Sequence, residues 1–354
     1  MSEAATIYDV AELAGVSIST VSLVLNQPTR VRDSTRRRVL DAANHLAFRP
    51  KSEAVSRARS GFGRIGVLSP FTSYASFHRR LDGILARLSE VGNGLEVVLF
   101  DHESVDGTAS AFADSLPLTE RLDGLILMGV PLSRPNVELV SARRFPVVLV
   151  DVGEPRFSLP SVIVDDYLGG HLAAAHLLET GAATYLYVGI PQRSTDYVFQ
   201  SQRRQAGFLD ALAAAGVPPA QVTTRVVGHS IAEALAAITP VLDGLPGPVA
   251  VFCFSDELAA GTVQAARRLG RRVGEEVTVV GFDNSDLAEG LDMTSVHQPL
   301  RESGALAVDL LLAQLRAPAE FPASAEPAVL GLELVVRGTT ARRPTIHQQG
   351  AAES

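Results

Sequence analysis

Only one cysteine, Cys253, occurs in this 354-residue chain, which excludes an internal disulfide and any cysteine-built metal site. A lone thiol of this kind reads as a small buried apolar residue in a reducing compartment. No apolar run approaches the ~18 residues that a membrane span needs. Met1 to Tyr8 has neither the basic nor the apolar region of a signal peptide, so the reading is a soluble, cytoplasmic protein with no membrane partner. Gly-x-Ser-x-Gly, phosphate-loop and Cys–His nucleophile patterns are missing, and nothing recommends an enzyme. His78, His171, His176, His229 and His297 show no metal spacing, since His171 and His176 stand five apart rather than one helical turn apart. No metal and no cofactor are expected. Gly61-Phe-Gly-Arg-Ile-Gly66 satisfies G-x-G-x-x-G, but these glycines precede a strand instead of following one, so a dinucleotide site is excluded.

Length points to more than one domain, at about 100 to 200 residues each. The net charge of −8 speaks against nucleic acid until its distribution is followed. Residues 1–60 carry nine Lys or Arg against six acids, about +3, which leaves about −11 for the remainder. A basic head sits on an acidic body. In that head, Thr6 and Asp9 form a capping box, and Gly15 ends the short helix that they open. Ser17 caps a second helix with Val21, Val24 and Leu25 on one face and Ser19, Thr20 and Ser22 on the other. A third helix, from about Asp33 to Leu46, buries Val39, Leu40, Ala43 and Leu46 and stops before Pro50. Two helices across so tight a turn have helix-turn-helix spacing, which sends the second into the major groove. Arg36, Arg37 and Arg38 read equally well as a solvated charge run.

The string Thr6-Ile-Tyr-Asp-Val-Ala-Glu-Leu-Ala-Gly-Val-Ser-Ile-Ser-Thr-Val-Ser-Leu-Val-Leu-Asn26 closely resembles the lac repressor (LacI/GalR) family. The resemblance implies a DNA-binding domain over residues 1–48, with Ile18, Ser19 and Leu23 over base edges and Thr20, Ser22 and Asn26 nearer the phosphates. Thr6, Ser17 and Arg30 complete that DNA-binding set. Ile18 or Leu23 can touch a thymine methyl, and Ser19 can donate or accept. Leu23 stands where several relatives carry arginine, so the operator preference is this chain's own. Residues 49–63, rich in Ser, Gly and Arg, read as a hinge. Phe48-Arg-Pro50 and Ala54 match the family's minor-groove hinge. Arg57 replaces the usual wedging leucine, which implies less DNA kinking or a wedge supplied by Val55.

From residue 64 to 343, short apolar runs alternate with amphipathic helices in two series, the second opening at Val162-Ile-Val164. The fold class is therefore α/β: a small helix-turn-helix head on a bilobed, periplasmic-binding-protein-like core of two doubly wound parallel sheets. Lobe 1 is expected over about residues 64–160 and 292–319, lobe 2 over about 161–291 and 320–338, and residues 344–354 as a disordered tail. Ligands of such sheets bind beyond the carboxyl ends of the strands, where this chain places carboxylates, amides and aromatics suited to a polyhydroxylated ligand. By the family resemblance, Asp151, Gln200, Arg204, Ser255, Asp256 and Asp283 line the effector cleft, and Phe71, Ser73 and Tyr74 supply its stacking side. Two plainer readings stay open. In one, Ser255 and Asp256 serve only as a helix cap; in the other, Arg204 and Asp151 form only a structural salt bridge.

The expected protein is a transcriptional regulator, a repressor, that binds double-stranded operator DNA as a homodimer under allosteric control by a small sugar-like effector. No leucine heptad follows Arg316, where tetrameric relatives carry one. The rivals are a regulator governed by a protein partner, and a solute-binding protein of the same build, which would carry an export signal and no reading head.

Overall fold

The computed structural model describes residues 5–26, 31–46, 48, 63–70, 75–92, 95–101, 116, 122–130, 132–152, 159–191, 200–316 and 326–340. The head consists of α1 (Ile7–Ala14), α2 (Ile18–Asn26) and α3 (Asp33–His45). Thr6 caps α1: its Oγ1 accepts from Asp9 N at 3.4 Å while the Asp9 carboxylate accepts from Thr6 N at 2.7 Å. Gly15, at φ 62°, ends the helix in the left-handed conformation, and Val16 N then reaches Ala11 O at 3.0 Å. Val10, Val21, Val24, Val39 and Phe48 close a core whose members among the described residues all belong to the head. Arg143 Nη2 donates to the carbonyls of Ala43 and Phe48, both at 3.3 Å, and so holds the end of α3 from outside the head.

Beyond the head come β1 (Arg64–Ser69), α4 (Ala75–Val91), β2 (Glu96–Asp101), β3 (Gly124–Met128), α5 (Arg134–Ala142), β4 (Val147–Val150) and β5 (Ser161–Val164). Then follow α6 (Asp166–Leu178), β6 (Thr184–Gly189), α7 (Gln200–Ala214), β7 (Val222–Val226), α8 (Ile231–Gly244), β8 (Val249–Cys253), α9 (Asp256–Arg268), β9 (Val277–Asp283), α10 (Asp286–Gly290) and β10 (Thr294–His297). Helix α11 (Leu300–Arg316), β11 (Ala328–Leu330) and β12 (Glu333–Val335) complete the described chain.

Among the described residues these strands form two six-stranded sheets, ordered β11-β5-β4-β3-β1-β2 and β12-β10-β9-β8-β6-β7. The chain divides into two compact units, one sheet in each. The first draws on Met1–Ile163 and Leu300–Leu330, the second on Val164–Gln192, Phe199–Pro299 and Gly331 onward. Strands β3, β4, β8 and β9 are buried along their whole length, as parallel strands covered on both faces must be. Each fully buried Val, Ile or Leu in them contributes about 1.5 to 3 kcal/mol. Cys253 ends β8 fully buried, and burial pushes its thiol up to about 12, as befits an inert core residue. Gly66 lies within β1, where a Cβ would stand 2.7 Å from Leu122 and 2.8 Å from Leu125, so this glycine serves close packing and not a phosphate loop.

Three segments change places relative to the sequence reading. Ser161–Val164, taken there as opening the second series, joins the first sheet beside β4, with Leu149 opposite Ser161 and Val162 in the apolar core of Val148 and Val150. Thr294–His297, expected in lobe 1, pairs with β9 in the second sheet. Ala328–Leu330, expected in lobe 2, lies in the first sheet, and Leu330 packs on that sheet's core. All three are short segments at the chain crossings, where the apolar pattern fixes a strand but not the sheet it completes.

Candidate functional site

In the head, α2 divides its residues by burial. Val21 and Val24 are fully buried, whereas Ile18 and Leu23 remain 41% and 37% exposed and Ser19 is exposed beside them. Two large aliphatic side chains held out on a rigid helix stand ready for an apolar contact in the major groove, which a thymine methyl supplies. Ser17 Oγ lies 2.8 Å from both Ser19 Oγ and Thr20 Oγ1 and accepts from Thr20 N at 3.2 Å, which fixes the first turn of α2. Thr6 Oγ1 donates to Asp9 at 2.7 Å, so its hydroxyl is already part of the α1 cap. Ser22 is half-buried, and Asn26 is the last residue of α2. Arg30, Ala54, Val55, Arg57, Phe71, Ser73 and Tyr74 lie outside the described residues. Of the arginine triplet, Arg36 pairs with Asp33 at 2.8 Å, leaving Arg37 and Arg38 exposed on α3. Tyr8, 66% exposed near the start of α1, is a surface aromatic that the sequence reading passed over.

The first unit buries a guanidinium at the carboxyl ends of its strands. Arg80, on α4 and 2% exposed, reaches Asp151 Oδ2 at 2.9 Å, and its guanidinium lies 5.4 Å from the Phe77 ring. Asp151 leaves β4 at φ 56°, a left-handed conformation that costs a non-glycine residue of order 1 to 3 kcal/mol and that tends to mark functional positions. Ser69, at the end of β1, is fully buried, and its Oγ has no hydrogen-bond partner among the described residues.

In the second unit the same elements recur at larger scale. Arg204, on α7 and 3% exposed, donates from Nε to Asp166 Oδ1 at 2.8 Å and from Nη1 to Phe254 O at 2.7 Å. Its Cζ lies over the Phe282 ring, 3.5 Å from the centroid, and 4.7 Å from that of Phe254, a desolvated cation–π geometry. Gln200 sits one turn earlier on α7. Arg204 and Asp151, which the sequence left open as partners of each other, thus have separate partners: Asp166 for the arginine and Arg80 for the carboxylate. Sequence reasoning missed both. The signal for Arg80 was present in the repeated Arg-x-x-Gly of Arg80–Gly83 and Arg204–Gly207. Asp166 looked like any acid in the first turn of a helix.

The open reading of Ser255 and Asp256 also resolves. Ser255 occupies the N-cap position of α9 without making a side-chain cap bond, and its buried Oγ has no partner among the described residues. Asp256 is fully committed. Its Oδ2 accepts from Ser285 N and Ser285 Oγ and its Oδ1 from Ser295 Oγ, all at 2.7 Å, which pins the turn after β9. Gly281 makes room for it, since a Cβ there would stand 2.3 Å from Asp256 Oδ1. Burial raises the Asp256 carboxyl to about 6 against the pull of those hydrogen bonds.

Asp283, at φ 105°, accepts a hydrogen bond from Gln298 Nε2. Burial raises its carboxyl to about 8, with Asp256 and Glu257 adding to the rise while Arg204 and Gln298 oppose it. Folding therefore holds a proton on Asp283 between the ordinary 3.8 and about 8, where the unfolded chain has released it. Any stability tied to this proton is complete on the acid side of that window and is lost as pH rises through it. Asp283→Asn removes the dependence. Its melting temperature relative to wild type should climb from pH ~5 to ~8 and then level off. A difference that grew toward acid instead would mean that the carboxylate is held ionised.

Residues 6–51 match the model of bacterial regulatory proteins of the lacI family, and residues 174–340 match a periplasmic binding protein-like domain. The HTH-type transcriptional regulator DegA of Bacillus subtilis is 31% identical over 85% of this chain and 88% of its own. The chain belongs to the lacI family of bacterial regulatory proteins. Among solved lacI-family structures, the lac repressor dimer bound to operator and the anti-inducer ONPF superposes with a TM-score of 0.66 at 27% identity, over 96% of this chain and all of that one. A regulator from Enterococcus faecium with bound ribose gives 0.65 at 25% identity, over 78% of this lacI-family chain and 98% of its own.

Proposed function

We propose that this protein is a cytoplasmic, non-enzymatic transcriptional repressor that binds operator DNA as a homodimer and changes its DNA affinity when a small sugar binds. The observation that carries this reading is the split of α2, with Val21 and Val24 sealed in the head core while Ile18, Ser19 and Leu23 face outward. In the major groove these three meet base edges. Thr6, Ser17, Thr20, Ser22, Asn26 and Arg30 position the helix on the phosphates, and Tyr8 adds a hydroxyl to that set. Ala54, Val55 and Arg57 are the minor-groove contacts in the proposal, with Arg57 suited to a narrow, negative groove.

For the effector, a sugar needs paired donors and acceptors close to an apolar face. The second unit offers the Arg204 guanidinium, the Ser255 hydroxyl, which has no hydrogen-bond partner among the described residues, Asp283, Gln200 and the Phe254 and Phe282 rings. Asp256 acts in this proposal through the turn that it pins. In the first unit, Asp151 with Arg80 is the corresponding group, and Phe71, Ser73 and Tyr74 belong to the same assignment. The two heads of a dimer read half-sites spaced by about one helical turn, roughly 34 to 36 Å. A ligand that alters their spacing shifts operator affinity on the usual scale of allosteric coupling.

Selection from randomised duplexes at one fixed salt concentration, with and without ribose or cellobiose, tests the reading. The expected outcome is enrichment of palindromic sites and a shift of about 5- to 150-fold with one sugar. Enrichment of no sequence above background would refute it. Palindromes that no sugar affects would favour control by a protein partner.

A further inference from the structure

Four glycines share one geometry. In the first unit, a Cβ on Gly83 of α4 would stand 2.0 Å from Arg301 O of α11, and one on Gly304 of α11 would stand 2.0 Å from Arg80 O of α4. In the second unit, a Cβ on Gly170 of α6 would stand 2.0 Å from Arg204 O of α7, and one on Gly207 of α7 would stand 1.9 Å from Tyr167 O of α6. In both pairs each helix lays its glycine on the carbonyl of the residue three places before the other helix's glycine. The four sets are Arg80–Gly83, Arg301–Gly304, Tyr167–Gly170 and Arg204–Gly207. In each pair one carbonyl belongs to a buried arginine of the candidate site and the other to an exposed side chain.

We infer that Gly170 and Gly304 are positioning residues for Arg204 and Arg80, setting where each guanidinium stands by admitting the arginine's own backbone against the neighbouring helix. The inference rests on the reading that Arg204 holds the effector, and deepens it. Asp166 and Gly170 lie one turn apart on α6, so a single helix fixes Arg204 at both ends: the glycine at its carbonyl and the carboxylate at its Nε, 2.8 Å away. In the first unit, α11 carries Gly304 under Arg80 and also grips β4, since Gln314 Oε1 accepts from Val147 N at 3.1 Å and its Nε2 donates to Val147 O at 3.2 Å. Strand β4 leads directly into Asp151, the partner of Arg80. An ordinary carbon–oxygen contact is about 3.3 Å, so a methyl group at Gly170 forces the helices apart by about 1.3 Å at Arg204. A misplacement of about 1 Å is enough to undo a geometry built for hydrogen bonding.

The test uses the full chain and Gly170→Ala, with Gly261→Ala as control. Gly261 also sits at a close helix crossing, less tight than Gly170: its Cβ would stand 2.6 Å from Ile231 O and from Ala234 Cβ where α9 meets α8, and no site arginine lies there. The readout is solvent exchange of the Arg204 Nε–H, assigned by its loss in Arg204→Lys and followed by NMR, alongside the melting temperature. At matched loss of melting temperature, Gly170→Ala should exchange at least about tenfold faster while Gly261→Ala keeps wild-type protection. Ribose and cellobiose binding, by calorimetry, should fall only in Gly170→Ala. Unchanged protection in Gly170→Ala, or equal loss in both variants, overturns the inference. If protection changes as expected but Arg204→Lys binds the sugars like wild type, the positioning stands and the effector reading of Arg204 fails. If Gly170→Ala does not fold, Gly304→Ala puts the same question to Arg80, whose guanidinium must lose protection if the inference holds.

Discussion

Arg204→Ala should abolish the response to sugar and destabilise the second unit by about 3 to 5 kcal/mol, the cost of leaving one member of a buried pair alone. The cause is Asp166, whose side chain is as deeply buried as the arginine that it accepts from. Removing the guanidinium also empties the space over Phe282 and leaves Phe254 O without its donor. Arg204→Lys keeps the charge but not the planar fork that serves Asp166 and Phe254 O at once, so it should lose less stability and still bind sugar poorly. The partners described for Arg204 (Asp166, Phe254 and Phe282) all lie in the second unit, and operator affinity without sugar should hold in both variants. Thermal melting with sugar titration separates the two effects. A variant lacking Arg204 that still answered to the sugar would remove this residue from the effector site.

Phe48→Ala should have the opposite profile, losing operator binding while sugar binding survives. A buried phenylalanine cut back to alanine costs about 3 to 5 kcal/mol, and a domain of this size rarely has more than that to lose. Phe48 is 7% exposed and closes the head core against Val10, Val21, Val24 and Val39. Calorimetry should show the head transition lost and the later transition of the two sheet-bearing units unmoved. Retained operator affinity would mean that α2 is held in place by something other than this core.

How far the sequence carried the reading depends on how local each feature is. The head was legible almost to the residue, because Thr6, Asp9 and Gly15 act within a single turn and the spacing of Val21 and Val24 states which face is buried. The strands were legible as apolar runs. Their sheet was not: Ser161–Val164 and Ala328–Leu330 carry the same pattern whichever core they complete. The site was legible as a set of residues and illegible as a set of pairs. That Arg204 meets Asp166, and Asp151 meets Arg80, follows from how helices cross and strands end. Asp256 was legible as a residue beyond a strand end but its partners were not, since Ser285 and Ser295 lie about 30 and 40 residues downstream and meet it only through the folded sheet.

The late return of α11 and β11 to the first unit has a consequence during synthesis. The head core is complete once Phe48 has emerged, whereas Val308, Leu311 and Leu312, which cover Ile65, Ile84 and Val148, are made only after nearly the whole second unit. At about 5 to 20 residues per second, the roughly 150 residues from the end of β5 to Leu312 take about 7 to 30 s, during which α4 alone covers that face of the first sheet. For that interval the ribosome carries a finished reading head on an unfinished sensor. A message broken before the codon for Leu300 would leave a complete head core attached to a first sheet that lacks α11 and β11.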